Sequence, residues 1–525
     1  MIVGGGIYGA CLAWEAALRG LSVALVEKGD FASGATSNSL KIIHGGWRSL
    51  QHGDIQQMRD YRRDSAALLR IAPHLVHPIA VVIPAYSRAA HNKAAATLRL
   101  HHLLPFDRPS DPRKQARMIS AGEVQEHFPG IEARGLQGGA LFYDAQVYSP
   151  ERLTLAFVQS AAHIGADVVN YAQVLGFIER DGVITGIEVC DRLTDEVIEI
   201  HARLVIIAAG AWANRVQRLS KSLPQTGTPR LAKGVNIIVR QPYQRDAILA
   251  MSYREEASQL YFVSPWREYT IIGTAYSPYD KEPDRPSSTS DEINRLLSVI
   301  NQAYPAANLT PQHVTYVHCG LLPMQGVGGA VRLLNRARIT DHRRQGVSGL
   351  LSVEGVTFTN ARSVAEAVIN QAFGLWGKQP PRSISARTPL DGGQIEDFDG
   401  YLKGELAAHR GRLDDSQLRG LVYRYGSAYH KVLDYLDTNQ PIINSYNLLR
   451  AQIRYSIYKE MAVRLSDVVF RRTELGSVEQ PDPAVLQFCV SVMSEELRWS
   501  NSRAAEEIRE VEEVFAWRAG LNHPA

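Results

Sequence analysis

The residues with the plainest chemistry stand at the very start of this 525-residue chain. Gly4, Gly6 and Gly9 form a Gly-x-Gly-x-x-Gly turn after Met1-Ile2-Val3, and Glu27 ends the apolar run Leu21 to Val26. If a dinucleotide binds here, each has a job. Gly4 permits a sharp turn, Gly6 lets a pyrophosphate approach the backbone, and Gly9 lets the following helix pack closely on the strand. The helix N-terminus adds free N–H groups and a partial positive charge. A carboxylate at Glu27 then accepts from ribose hydroxyls. The glycines alone often make only a turn; the order strand, turn, helix, strand, acid is what points to a nucleotide. Three residues precede Gly4, so the first strand is short or begins further upstream.

The elements that must hold such a site follow in order. Lys28 to Ser39 is a loop of small residues leading into Leu40-Lys41-Ile42-Ile43-His44-Gly45-Gly46-Trp47-Arg48. That composition suits a loop against which a cofactor lies, and equally an ordinary surface loop. Helical spacing covers Ile55 to Ala72, Pro150 opens a helix to about His163, and a helix runs over Asp291 to Tyr304. Strands are expected at Ala166 to Val169, Val174 to Glu179, Val183 to Val189 and Glu196 to Ile200. Asp181-Gly182 marks a hairpin between the second and third. Ala202 to Trp212 reads as one continuous buried parallel strand running into a glycine turn at Gly210. Val235 to Val239, Gln259 to Val263, Tyr269 to Ile272 and Val314 to His318 suggest a separate antiparallel sheet. Gly349 to Val353 is a second strand that passes through Gly355 into a helix ending near Phe373. Residues 79–148 are mixed, with a basic stretch from Arg108 to Arg117 read as a solvated loop. After a linker at Gly377 to Arg382 the chain becomes helical.

Composition narrows the function classes. A net charge of +3 argues against dedicated nucleic-acid binding. No run approaches the length needed to span a bilayer, and the N-terminus lacks the pattern of a signal peptide, so a cytoplasmic protein is expected. Cys11, Cys190, Cys319 and Cys489 are widely spaced, as for reduced thiols rather than a disulfide or metal framework.

Taken together these stretches resemble the FAD-dependent glycerol-3-phosphate dehydrogenases, within the D-amino-acid-oxidase-like flavoproteins. The similarity rests on the Gly4–Gly9 turn, Val26-Glu27-Lys28-Gly29-Asp30-Phe31-Ala32-Ser33-Gly34, Lys41 to Arg48, Ala208 to Trp212, Ser264-Pro265-Trp266 with Ile272-Gly273-Thr274, and Phe470-Arg471-Arg472-Thr473. It implies an α/β chain: a Rossmann-like FAD-binding domain over 1–380, discontinuous, with antiparallel substrate-domain insertions at about 75–148 and 231–325. An α-helical C-terminal domain over 381–525 would follow. It also implies FAD contacts from Gly4, Gly6, Gly9, Glu27, Lys28, Ser37, Lys41, His44, Gly45, Gly46, Gly210, Gly355, Thr357 and Thr359. Cys319 lies in the general region where some amine-oxidising relatives tether their flavin, although a buried thiol explains it as well.

The reaction so implied is hydride transfer from a secondary alcohol to flavin, with loss of the hydroxyl proton. His44 is the candidate proton acceptor or, alternatively, a residue that orients its loop. Arg48 is the candidate substrate anchor, its alternative a surface ion pair. Lys233 and Arg362 are further candidates, each with a structural alternative. Against the family pattern, Asn236 stands where a histidine is usual, Leu322 replaces an arginine, Gly355-Val356-Thr357 replaces Gly-Gly-Lys, and Ile339-Thr340-Asp341-His342 lacks another arginine. Losing two hydrogen bonds to a charged group would weaken phosphate binding by roughly 3–6 kcal/mol, unless Arg48, Lys233, Arg338 or Arg362 compensates. An altered substrate is therefore expected. Two rivals remain open: an amine or amino-acid oxidase of the same superfamily, and a catalytically degenerate FAD-binding partner protein. The electron acceptor would be a quinone or oxygen, and the resemblance allows peripheral membrane contact and a homodimer.

Overall fold

The computed structural model describes residues 1–51, 53–103, 115–224, 230–240, 246–253, 256–325, 331–437 and 444–518; the Arg48 side chain and most of the basic stretch expected at 108–117 lie outside that description. The first strand is short, Ile2–Val3, yet it occupies the centre of a six-stranded sheet. Ile2 pairs in parallel with Ile206 on one side and Leu25 on the other. Leu350–Glu354 and Asp167–Val169 extend the parallel pairing, and Arg338–Asp341 adds an antiparallel edge. Leu25, Val205 and Ile207 are wholly buried, as befits strands covered on both faces. One covering layer is the helix Ile7–Leu18, whose Ala10 and Ala13 are fully buried as it packs against the helices Pro150–His163 and Ala361–Leu375. Ser149 caps Pro150–His163 by accepting from the Arg152 amide, with proline in the first turn.

The continuous strand expected over Ala202 to Trp212 is much shorter. Only Val205–Ile207 pairs, because its neighbours are themselves two to five residues long and Gly210, at φ 52°, turns the chain into a 3₁₀ turn. The hairpin expected at Asp181-Gly182 is present, and its two strands with Val197–His201 form an antiparallel sheet of their own.

The second large sheet has nine strands and draws on two distant stretches, 42–147 and 231–323. Leu231–Val239 lies between Val314–Pro323 and Tyr269–Tyr279, and every one of its residues is buried. The alternation explains how. Val235, Ile237 and Val239 face a cluster completed by the helix Ser290–Ala303, while Ile238 faces the C-terminal helices. The mixed region resolves into long paired strands, Val76–Ala85 and Gly138–Val147, joined through the helix Arg88–Leu103. Pro78 and Pro84 inside the first of these obscured it in the sequence. In the C-terminal region the expected helices are joined by Phe398–Ala408, which Gly400 and Gly404 had hidden. Val468, Val469, Leu486, Met493, Val511 and Phe515 pack that region onto Ile271 and Tyr316 of the large sheet. Among the described residues no helix is long and apolar enough to cross a membrane.

Candidate active site

A cleft of about 1960 Å³ opens where the carboxyl ends of the parallel strands face the large sheet. Its lining includes Val3-Gly4, Val26-Glu27, Ala208-Ala209-Gly210 and Val353-Gly355, the place where open α/β sheets bind ligands. Backbone approach here is close enough to exclude side chains. A Cβ on Gly9 would fall 1.8 Å from the Gly4 carbonyl oxygen, and one on Gly4, at φ 111°, 2.7 Å from that of Ala208. The capping position Gly6 brings no side chain to the helix N-terminus, so Gly6, Ile7 and Tyr8 present backbone to the cleft. Thr36 Oγ1 accepts from the Ile7 amide at 3.2 Å, tying the small-residue loop to this turn.

Glu27 is fixed by two amides: Oε2 accepts from Gly5 N at 2.7 Å and Oε1 from Gly29 N at 2.9 Å. Burial raises its pKa, and these two bonds oppose the rise. Beside it Lys28 Nζ lies over the Trp212 ring and donates to Asp284 Oδ1 at 2.7 Å; Trp212 Nε1 and Arg215 also donate to Asp284. These groups bridge the cleft's nucleotide end. The glycines, the uncapped helix start and the amide-held carboxylate fit the ADP half of a flavin dinucleotide.

At the other end stands His44. Its amide donates to Thr359 Oγ1 at 3.0 Å, and its Nδ1 lies 3.6 Å from Asp144 Oδ2. Asp144 Oδ1 accepts from the Gly45 amide at 2.8 Å. With Nδ1 turned to a buried carboxylate, Nε2 is the nitrogen free to meet a substrate, and His44 is the only histidine among the described residues lining the cleft. Tyr8 joins the two strand-to-helix junctions: its hydroxyl donates to the Thr357 carbonyl at 3.0 Å, and a Cβ on Gly355 would collide with it at 2.0 Å. Burial raises the Tyr8 pKa, keeping it a neutral donor.

The residues singled out in the sequence separate into two groups. Gly4, Gly6, Glu27, Lys28, His44, Gly46, Gly210, Gly355, Thr357 and Thr359 line the cleft. Gly9 and Gly45 sit just behind it and shape the turns. Ser37 and Lys41 turn away. Ser37 bonds the Gly34 carbonyl, and Lys41 Nζ donates to the Ser37 carbonyl and lies 5.1 Å from the Trp266 ring, on the C-terminal side. Lys233 and Arg362 do not converge on the cleft. Lys233 pairs with Glu292 at 2.8 Å, and Arg362 with Asp64 at 2.8 Å and Glu366 at 3.0 Å. Arg338 is likewise paired, with Glu354. Of the positions that depart from the family pattern, Leu322, Asn236 and Val356 line the cleft, whereas Ile339 to His342 do not. Both ends of the Asn236 amide are engaged, donating to the Asn38 carbonyl and accepting from Thr274. Cys319 is buried off the cleft, its thiol pushed up to about 12 by burial. Asp144, Tyr61 and Arg332 escaped the sequence reading, since each reaches the site by folding rather than by motif; Tyr8 stands inside the glycine motif, at a position the motif leaves open.

The FAD dependent oxidoreductase family (DAO) matches residues 1–367, and the C-terminal domain of alpha-glycerophosphate oxidase matches 383–504. A glycerol-3-phosphate dehydrogenase of Synechocystis is 30% identical over 98% of this chain and 96% of its own length. The chain belongs to the FAD-dependent glycerol-3-phosphate dehydrogenase family. Within that family an aerobic glycerol-3-phosphate dehydrogenase of Staphylococcus aureus is 27% identical over the whole chain and 96% of its own length. Among solved structures, the glycerol-3-phosphate dehydrogenase from Bacillus halodurans complexed with FAD aligns with a TM-score of 0.80 at 25% identity, covering 100% of this chain and 96% of that one. A glycine oxidase from Bacillus cereus shares the fold at a TM-score of 0.52 over 73% of this chain and 98% of its own. This dehydrogenase-family chain is thus an FAD-dependent oxidoreductase along its full length, C-terminal helices included.

Proposed function

We propose that the protein oxidises the secondary alcohol of glycerol 3-phosphate, or of a closely similar polyol phosphate, to the ketone. The observation that carries this reading is His44, its Nδ1 3.6 Å from Asp144 on the wall of a cleft that begins at the glycine turn. Bound FAD would supply the hydride acceptor. His44 Nε2 takes the hydroxyl proton as the carbon loses hydride, with the Asp144 carboxylate 3.6 Å from Nδ1 on the far side of the ring. Gly4, Gly6, Glu27 and Lys28 serve the nucleotide half of the cofactor, while Gly46, Gly355, Thr357 and Thr359 serve the flavin half.

Anchoring of the substrate's anionic group falls to Arg332 in this reading. It lines the cleft with Gln325 and Asn335, its side chain is exposed, and it has no ion-pair partner among the described residues. Contacts tie its segment to the His44 end: Gln57 donates to the Asn335 carbonyl and toward Tyr61, whose hydroxyl reaches Thr357 Oγ1 at 3.5 Å. Arg48, in the short helix Trp47–Gln51 whose Trp47 and Ser49 line the cleft, is the second anchor. Arg332 and Arg48 would take over where Leu322 leaves no cation.

We place the enzyme in the cytoplasm, with a division near residue 380 between its FAD-binding and helical parts, and with a quinone or oxygen as electron acceptor. Peripheral membrane contact and a homodimer belong to the same proposal. Anaerobic reduction by a panel of polyols, polyol phosphates and amines tests the reading. Reduction by polyol phosphates supports it, reduction by amines alone favours the amine-oxidase rival, and no reduction by any compound favours the degenerate partner protein.

A further inference from the structure

Glu27 does not stand alone. Its Oε1 is held by the Gly29 amide, and Gly29 is itself gripped from behind on both sides. On one side its carbonyl accepts from the Tyr171 amide at 2.9 Å, and the Tyr171 hydroxyl donates to Asp467 Oδ1 at 2.6 Å. On the other, the adjoining Asp30 carboxylate accepts from Arg472 Nη1 and Nη2 at 2.8 Å each, from Arg471 Nε, and from Asn170 at 3.1 Å. Arg471 Nη2 closes the ring by donating to Asp467 at 2.7 Å. Asp467 also caps the turn, accepting from the amides of Val463 and Arg464 at 2.9 Å. Arg472 Nη2 reaches the Glu460 carbonyl at 2.8 Å, and Arg152 Nη1 donates to both oxygens of the Glu460 carboxylate, at 2.7 and 2.8 Å.

Asp30, Asp467, Arg472 and Glu460 are all buried to at least 99%. Burial would raise the pKa of Asp30, but Arg472 and Arg471 outweigh it and keep the carboxyl ionised well below the usual range. A buried charge cluster is a poor source of net stability compared with apolar packing, and its better-attested use is to fix one geometry. A guanidinium fork on a carboxylate fixes geometry in two bonds at once. None of Asp30, Tyr171, Asp467, Arg471 or Arg472 lines the cleft; Gly29, bonded to Tyr171 and adjoining Asp30, links them to Glu27.

We propose that the turn Val468–Arg472, with Asp467, positions Glu27 for the adenosine ribose of FAD, so that docking of the C-terminal helical region sets cofactor affinity. The inference rests on the proposed assignment of Glu27 to the cofactor and adds a part of the chain that no cofactor motif reaches.

The test uses full-length apoprotein and the quenching of flavin fluorescence on binding. Tyr171→Phe removes one hydrogen bond to a buried carboxylate and nothing that touches the cleft. It should raise the Kd for FAD by more than twofold, because a less firmly held Glu27 must be ordered on binding, with kcat and the KM for the alcohol unchanged at saturating FAD. Arg472→Met should weaken FAD binding further and Arg472→Lys restore part of it; if Arg472→Met fails to fold, Tyr171→Phe and Arg472→Lys decide. A Kd within twofold of wild type in both, or a KM that shifts in parallel with Kd, overturns the inference while leaving the proposed reaction standing. Wild-type protein that binds no FAD overturns both.

Discussion

Asp144 grips the turn before the double glycine at two points, accepting from the Gly45 amide at 2.8 Å while its second oxygen lies 3.6 Å from His44 Nδ1. The carboxylate therefore fixes the path of the loop and lies beside the imidazole that the loop carries to the cleft. His44→Gln should slow anaerobic flavin reduction by about 10²–10⁴, the usual range for losing a general base. Asp144→Asn keeps an acceptor for Gly45 and removes the charge, so it should slow the same step less than His44→Gln while leaving FAD bound. Stopped-flow absorbance with saturating alcohol measures both; equal rates in wild type and His44→Gln would remove His44 from the chemistry.

Arg332 is the cation assigned to the substrate's anionic group. Arg332→Gln should raise KM for a polyol phosphate about 10–100-fold, as for one lost hydrogen bond to a charged group, and leave an unphosphorylated polyol unaffected. Steady-state kinetics on the two substrates, with the same electron acceptor, checks it.

Arg362 and Asp64 are both buried and paired at 2.8 Å. Arg362→Met would strand the Asp64 carboxylate, whose pKa burial already raises, and should cost about 3–5 kcal/mol of stability. Urea unfolding of the apoprotein measures that loss. The surviving holoenzyme should keep its KM, whereas a substrate contact at Arg362 would raise it.

Lys41 supplies a pH signature. Burial pulls its pKa from 10.5 to about 8, opposed by Glu151 and reinforced by Arg267 and Arg518. Below pH 8 the lysine is charged in both states, and the folded state bears the full burial cost. Between about 8 and 10.5 the unfolded chain holds the proton that the folded one has lost, so stability rises with pH. Relative to Lys41→Met, wild type should gain up to about 3 kcal/mol across that window. Denaturant unfolding of both proteins at pH 7 and pH 10 checks the sign; a gain toward lower pH would contradict it.

Much of the cofactor end was legible in the sequence because its parts are local: Gly4 to Gly9, Glu27 and Gly29 fall within one strand-turn-helix-strand unit, and the glycine spacing encodes backbone approach directly. The helix Pro150–His163 and the hairpin at Asp181-Gly182 were legible for the same reason. The substrate end was not. Asp144 meets Gly45 across 99 positions, and behind the cofactor end Arg472 meets Asp30 across 442; no short motif announces either contact. Lys233 was misplaced by strand parity. Gly234 and Asn236 line the cleft, so Lys233, next to Gly234 and of the opposite parity, faces the helix Ser290–Ala303 and its Glu292. Arg362 follows the Thr359 that meets His44, but the helix Ala361–Leu375 turns its side chain back to Asp64.

The central claim is that this cleft holds FAD and passes it hydride from a phosphorylated secondary alcohol. Anaerobic titration of the purified, FAD-loaded protein with glycerol 3-phosphate tests it most directly. Stoichiometric loss of the oxidised-flavin absorbance, with one ketone formed per flavin, is the expected result. An unchanged spectrum with glycerol 3-phosphate and with every related polyol phosphate, in protein that demonstrably retains FAD, would contradict it.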